Sequence, residues 1–347
     1  MSLFHLLDDL LDKTVIGGYD RIGYQIRRQL WDPADLDVDL RGRTAVVTGA
    51  NSGLGYVTAR ELARRGARVV MVCRDRERGA AARKKLREEI AGTKTPGETI
   101  LSVVDMGDMN AIREFARVYP DQNDGPHILV NNAGALLNER RETAAGIEQT
   151  FAVNVLGYFL LTELMLELLT KAGATGPAAR VINVSSGGMY PVSLDIDDPQ
   201  WQAREYDGVR AYAETKRAEV MLTELWAKRM TASGANVFLG AMHPGWADTP
   251  GVQTALPTFR AVTQMILRSP EEGADTIVWL AVKPKIEESF DSGLFWCDRR
   301  PRPTHRMQST RSAPADLKRY HDRLRSMTGA GAELDADFFA TLEASTQ

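Results

Sequence analysis

Tyr212 and Lys216 stand four residues apart in the stretch Tyr212-Ala213-Glu214-Thr215-Lys216. On a helix that spacing puts both side chains on one face. A phenol ordinarily ionises near pH ~10, too high for useful proton transfer at neutral pH, and a nearby ammonium favours the phenolate. The pair is therefore suited to general acid/base work. Tyrosine and lysine at this spacing also occur on many purely structural helices. What changes the odds is a second segment, the glycine-rich turn Thr48-Gly49-Ala50-Asn51-Ser52-Gly53-Leu54-Gly55. It follows the β-branched run Thr44-Ala45-Val46-Val47-Thr48 and opens a helical pattern over about 53–65. In that context glycine lets the chain turn sharply and lets a pyrophosphate approach the unpaired N–H groups of a helix N-terminus. The glycines are spaced four then two, unlike the two-then-three of the commoner dinucleotide fingerprint.

The second strand ends Val72-Cys73-Arg74-Asp75. An acidic residue at that point binds a free ribose hydroxyl, whereas arginine accommodates a phosphate. Arg74 therefore favours NADP(H) over NAD(H). Asp75 is a conflicting signal, and a solvated surface charge is the plain alternative for Arg74.

These segments need a scaffold, and the chain shows one. Apolar runs at 44–48, 68–73, 99–104, 127–131, 180–184, 236–241 and 294–296 alternate with helical patterns. Fully apolar strands separated by helices imply a parallel sheet covered on both faces. The expected architecture is a single-domain α/β, doubly wound Rossmann fold with a seven-stranded parallel sheet over residues 41–300. Residues 1–40 form an extension, expected to be helical, with apolar positions Leu3, Leu6, Leu7, Leu10, Leu11, Ile22 and Ile26. It reads as a helix packed on its own domain or on another subunit. A membrane-surface helix is the second reading, and its acidic first turns argue against that. Residues 301–347 read as a polar tail with a short helix near 315–327 and no assignable chemistry.

The 347 residues allow a sizeable core, and 44% hydrophobic with 26% charged residues is ordinary soluble composition. A net charge of −3 gives no support for a nucleic-acid partner. Cys73 and Cys297 provide neither a disulfide framework nor a metal cluster, so a reducing, cytoplasmic setting is expected. Asp8, Asp9 and Asp12 interrupt the N-terminal apolar stretch and argue against a secretory signal. The apolar window Phe151–Leu169 contains Asn154, Glu163 and Glu167 and reads as a buried helix rather than a membrane span.

Taken in order, Thr48–Gly55, Asn131-Asn132-Ala133-Gly134, Asn154, Ser185-Ser186, Tyr212–Lys216 and Pro244-Gly245 resemble the motif series of the short-chain dehydrogenases/reductases over about residues 40–298. The wording of the glycine turn, Cys73-Arg74-Asp75 and the long gap from serine to tyrosine resemble the retinol-dehydrogenase-like branch. The stretches 184–189, 243–252 and 295–305 are similar to a narrower orphan group within it. The resemblance implies that Tyr212 is the general acid/base, Lys216 lowers its pKa and binds the nicotinamide ribose, and Ser186 rather than Ser185 holds the substrate oxygen. Asn154 would support a water-linked proton path, Asp105 contact the adenine, Asn132 tie the sheet around the cofactor, and Thr249 hold the carboxamide. The implied cofactor set is Gly49, Asn51, Ser52, Gly53, Leu54, Gly55, Arg74, Asp105, Met106, Asn132, Ala133, Gly134, Tyr212, Lys216, Pro244, Gly245 and Thr249. Some NADP-using relatives carry a basic residue just before the middle glycine; Ser52 stands there, which leaves the preference resting mainly on Arg74.

The implied chemistry is interconversion of an alcohol and a carbonyl. The segment after Pro244-Gly245 carries Val252, Leu256, Phe259, Val262, Met265, Ile266 and Leu267, which suits a lipophilic substrate if these residues do more than pack a lid. Met189 and Tyr190 are candidate wall residues, and no charged residue obviously awaits an anion. Residues 190–210 read as a surface insertion, with a border of the substrate cleft as the second reading. The resemblance also implies a homodimer or homotetramer built through the helix at about 145–172 and the helix carrying Tyr212. A protein that binds NADP as a sensor or scaffold, without turnover, is the competing reading.

Overall fold

The computed structural model describes residues 8, 11–12, 17–122, 125–249, 251, 253, 260–261 and 263–344. The apolar positions Leu3, Leu6, Leu7 and Leu10, and the lid positions Val252, Leu256, Phe259 and Val262, lie outside them.

The strands are β1 (Thr44–Thr48), β2 (Arg68–Cys73), β3 (Thr99–Val103), β4 (Ile128–Asn131), β5 (Ala179–Val184), β6 (Val237–Met242), β7 (Phe295–Cys297) and β8 (Arg300–Arg302). They form one sheet in the order β3-β2-β1-β4-β5-β6-β7-β8. The first seven run parallel, as expected from their apolar character; β1, β4, β5 and β6 are buried throughout. The eighth, β8, is a departure from the seven expected. It folds back antiparallel on β7 through Asp298 and Arg299, both at positive φ. Its Arg-Pro-Arg sequence carries no apolar run, so periodicity does not reveal it.

The helices of eight residues or more among the described residues are α1 (Arg21–Arg28), α2 (Gly53–Arg64), α3 (Arg76–Ile90), α4 (Met109–Gln122), α5 (Gln149–Ala174), α6 (Gly208–Ala232), α7 (Pro270–Val282), α8 (Pro314–Thr328) and α9 (Ala336–Ala344). Local chemistry sets their ends. Asp75 and Asp207 cap α3 and α6 with side-chain oxygens that accept first-turn N–H bonds, and Ser269 with Glu272 closes a reciprocal capping box on α7. Among the described residues, α5 is the one helix long and apolar enough to cross a membrane, but 78% of its apolar window is buried inside the fold. Phe159, Leu160 and Met165 of α5 pack with Leu222 and Trp226 of α6 on one face of the sheet. Leu62 of α2, Leu86 of α3 and Ile277 of α7 fill the other.

Two terminal regions contribute more than their composition suggests. The tail is not merely polar: Leu317, Tyr320 and Leu324 of α8 and Phe339 of α9 enter the same core as α5 and α6. Their apolar residues are spread over two short helices, so no sustained stripe announces them. These helices lie over α5 and α6, the pair nominated for subunit contact. At the other end, Tyr19, Tyr24 and Arg27 are buried, and Trp246 N–H donates to the Tyr19 carbonyl at 2.8 Å. In residues 190–210, Trp201 is buried at 4% exposure beneath the Arg204 guanidinium, 3.5 Å from its ring centroid, so that insertion is anchored rather than wholly superficial.

Candidate active site

The carboxyl ends of β1, β2, β4, β5 and β6 surround one cleft of about 1030 Å³, where ligands settle in open α/β sheets. Gly49 holds a positive φ of 67° in the β1–α2 turn, and a Cβ there would meet the Asn132 amide nitrogen and Ala133 Cα at 3.0 Å. The loop is thus folded tightly against β4 by the absence of side chains. Gly55 sits behind it, with its α-carbon pressed towards Asn132 Nδ2 and the Gly49 carbonyl, and does not line the cleft. Ser52 is the N-cap of α2 but its side chain makes no capping bond, so it leaves the first-turn N–H groups unclaimed by a side chain. Asn132 Nδ2 donates to the Thr48 carbonyl at 2.8 Å, and Thr48 Oγ1 accepts from the N–H groups of Asn132 and Ala133. These bonds staple the ends of β1 and β4.

Asn51, Ser52, Gly53, Leu54, Arg74, Asp105, Met106, Ala133, Gly134, Pro244, Gly245 and Thr249 also line the cleft. Asp75, the conflicting signal in the sequence, also lines the cleft, and its Oδ1 accepts the Arg78 N–H at 2.8 Å and caps α3. That helix turn brings Arg78 to the cleft beside Arg74, a second cation that the sequence reading missed although it lies four residues on. Asp105 Oδ1 accepts the Gly107 N–H at 2.9 Å, which fixes its own loop.

Tyr212, Lys216 and Ser186 meet on the opposite wall. Ser186 lines the cleft with Tyr212 and its hydroxyl favours the ionised phenol, while Ser185 Oγ donates to the Lys216 carbonyl at 2.8 Å. Ser185 thus ties β5 to α6 through its hydroxyl, and that of Ser186 makes no such tie. Lys216 Nζ lies 5.4 Å from the Tyr212 ring centroid and donates to the Val184 carbonyl at 2.8 Å and to Glu219 Oε1 at 2.7 Å. Burial raises the Tyr212 phenol; Lys216 pulls it back, Glu219 pushes it up again and Ser186 lowers it, with a net shift upward. The expected lowering by Lys216 is present in direction but is outweighed by desolvation. Asn154 is fully buried in a π-helical segment, Ala152–Gly157, behind the wall rather than on it. It bonds Ala135 N–H at 2.8 Å, Ala135 O at 3.0 Å and Thr215 Oγ1 at 2.9 Å, and so locks α5 to the start of the Tyr212 helix.

The far end of the cleft is built by residues with no motif. Asp12, Tyr19, Tyr190, His243, Trp246, Arg306 and Met307 line it. Arg306 pairs with Asp12 at 2.7 Å, donates to Tyr19 OH at 2.9 Å and lies over the Tyr190 ring at 4.5 Å. A cation does stand in the wall, then, contrary to the sequence reading, although a carboxylate accompanies it. Tyr190 is a wall residue; Met189 is fully buried and is not. Of the lid positions described, Leu267 is buried, Ile266 half-buried and Met265 exposed, and none of the three lines the cleft. Burial and the nearby Arg268 hold His243 down to about 3, so it is neutral there.

A sequence profile for short chain dehydrogenases matches residues 43–196. "Dehydrogenase/reductase SDR family member 12" of Bos taurus is 38% identical over 310 residues, which cover 89% of this chain and 93% of that protein. The chain belongs to the short-chain dehydrogenase/reductase family. It is accordingly an oxidoreductase of that family, one that uses a nicotinamide dinucleotide on small molecules. "Retinol dehydrogenase 13" of Homo sapiens is 37% identical over 71% of this chain and 74% of its own length. A crystal structure of an uncharacterised Mycobacterium paratuberculosis protein, 30% identical, superposes with a TM-score of 0.67 over 88% of this chain and 99% of the other.

In this short-chain dehydrogenase the segments outside the profile hold the far end of the cleft in place. Arg268, 1% exposed, lies under Gly245, where any Cβ would strike its guanidinium. It bonds Asp298 at 2.6 and 2.9 Å and the Asp20 carbonyl at 3.0 Å. Asp298 also pairs with Arg27 at 2.7 Å, and Arg27 and Arg302 both pair with Asp8. One buried ionic chain thus joins the N-terminal extension, the β7–β8 turn and the Pro244-Gly245 turn.

Proposed function

We propose that the chain is an NADP-preferring oxidoreductase that interconverts an alcohol and a carbonyl on a lipophilic substrate, with Tyr212 as general acid/base. One observation carries the reading: the glycine turn with Arg74 and Arg78, and the Ser186–Tyr212–Lys216 group, face each other across a single cleft. The donor set fits a dinucleotide phosphate. Open N–H groups at the head of α2 suit a pyrophosphate, and two guanidinium groups at the end of β2 suit a ribose phosphate.

The nicotinamide, when bound, supplies or accepts the hydride. The protein manages one proton and the charge on one oxygen. In reduction Ser186 and Tyr212 donate hydrogen bonds to the carbonyl oxygen as negative charge builds on it, and Tyr212 gives up its proton to complete the alcohol. Oxidation runs in reverse, with the phenolate taking the hydroxyl proton. Lys216, fixed by Val184 and Glu219, keeps a positive charge beside the phenol and stabilises the phenolate stage. Asn154 would hold Ala135 and Thr215 in register behind them. The aromatic far wall and the retinol named for a relative both support an apolar substrate.

The test is a panel of apolar aldehydes, ketones and alcohols, assayed by nicotinamide absorbance with NADP(H) and NAD(H) in parallel. The reading expects turnover of apolar members with NADP(H) preferred. Coenzyme binding without turnover of any member would favour the sensor alternative.

A further inference from the structure

Glu219 is one turn beyond Lys216 on α6, and its side chain has no exposed surface. Its Oε1 accepts from Lys216 Nζ at 2.7 Å, while Oε2 has no hydrogen-bond partner among the described residues. A buried carboxylate with one idle oxygen is costly unless something requires it. Core packing does not require it, since an apolar side chain would fill the same space. What the carboxyl touches is the cation of the proton-transfer pair.

Lysine has three donors. Val184 O and Glu219 Oε1 take two and leave one for the cleft, where a Cβ on Gly134 would lie 3.7 Å from Nζ. The ammonium is also 5.6 Å from the centroid of Tyr158, whose hydroxyl is buried and unpaired. The ionisable groups facing the Glu219 carboxyl are thus Lys216 and Tyr212 from α6 and Tyr158 from α5. The backbone beneath it is held too: Thr223 Oγ1 donates to the Glu219 carbonyl at 2.7 Å and accepts from Asn183 Nδ2 at 2.7 Å, and Asn183 is bonded in turn to Asn131. A polar network running from β4 through β5 therefore fixes the turn of α6 that carries Glu219.

We propose that Glu219 is a positioning residue for the reaction: it anchors the Lys216 ammonium and offsets that charge at the Tyr212 hydroxyl. Anchoring aims the one remaining lysine donor at the cleft. Offsetting keeps Tyr212 protonated in the coenzyme-free protein, ready to act as an acid. Burial pushes the Glu219 carboxyl up, the Lys216 ammonium 2.7 Å away pulls it back towards the charged form, and a charged Glu219 in turn raises Tyr212. The sign follows directly. Removing the negative charge leaves Lys216 unopposed, favours the phenolate, and moves the rise of alcohol oxidation with pH towards acid.

The inference rests on Tyr212 being the acid/base, and its test separates the two claims. Glu219→Gln keeps an acceptor and removes the charge; Glu219→Asp keeps the charge and shortens the reach. The midpoint of the oxidation pH profile should fall by about one unit in the glutamine variant, a roughly tenfold faster rate on the acid side. In the aspartate variant the midpoint should stay near wild type, while the NADP⁺ dissociation constant, read by protein fluorescence, should rise several-fold. A glutamine profile superimposable on wild type would overturn the proposal. Phenolate absorbance, compared between the coenzyme-free wild type and Tyr212→Phe, requires no Glu219 variant and no turnover. It should show no Tyr212 phenolate below about pH 9. A Tyr212 phenolate at neutral pH would overturn the offsetting role, whereas turnover surviving in Tyr212→Phe would instead refute the acid/base assignment.

Discussion

At the Gly49–Gly55 end of the cleft the wall is main chain: a turn emptied of side chains, stapled to β4 by Asn132 and Thr48. At the Tyr19–Arg306 end the wall is side chains drawn from the two flanks of the sequence and held by buried ion pairs. The first design tolerates little variation in sequence, because only glycine permits the approach. The second depends on pairs such as Arg27–Asp298 and Arg302–Asp8, separated by 271 and 294 residues. Tyr212 lines the same cleft as both ends, and in the proposed function it works at their junction.

Substitutions at the junction and at each end should therefore fail in different ways. The largest effect is expected at Tyr212→Phe: turnover falls by about 10²–10⁴-fold while the NADP⁺ dissociation constant stays within a few-fold of wild type. Single-turnover kinetics with fluorescence titration would separate the two quantities.

Next comes the ionic chain. Asp298 sits between Arg268 and Arg27 with 1% of its surface exposed. Asp298→Ala leaves the buried Arg268 guanidinium uncompensated and Arg27 with Asp8 as its carboxylate partner, and should cost about 3–5 kcal/mol, read as a fall in thermal and denaturant midpoints. Asp8 supplies the matching pH dependence. Burial works against its charge, but Arg302 and Arg27 hold its carboxyl down to about 2. A depressed folded-state pKa means that the stabilisation is present above the unfolded value of ~4 and disappears as pH falls from there towards 2. Denaturation midpoints measured across that window should drop for wild type and stay flatter for Asp8→Asn.

Smaller effects should sort cleanly by end. Arg74→Ala and Arg78→Ala should each weaken NADP⁺ by about tenfold and leave NAD⁺ within a few-fold, because each removes a charge-assisted contact to one phosphate. Arg306→Ala should raise KM several-fold for the best apolar substrate and leave both coenzyme constants unchanged. If it weakened the coenzyme instead, the division of the cleft into two ends would be wrong.

The same contrast explains what could be read from sequence. The seven parallel strands were legible because each is an apolar run, and the glycine turn and the Tyr212–Lys216 pair because each carries a local pattern, whereas Asn132 and Ser186 were indicated by the family resemblance alone. Arg78 was missed since its position becomes meaningful only once Asp75 caps α3 and turns the helix towards the cleft. Glu219 carries no motif of its own, and its burial is apparent only in the folded chain. Asp12, Tyr19 and Arg306 have no local signature at all. Nor did β8 or the core role of Phe339, whose segments are too short or too charged to show a period.

The most direct test is a crystal structure of the NADP⁺ complex. The account predicts the adenosine phosphate between Arg74 and Arg78, and the nicotinamide C4 within about 4 Å of a position reached by both the Tyr212 and Ser186 hydroxyls. A nicotinamide bound away from Tyr212, or a phenol turned out of the cleft with the coenzyme in place, would contradict it.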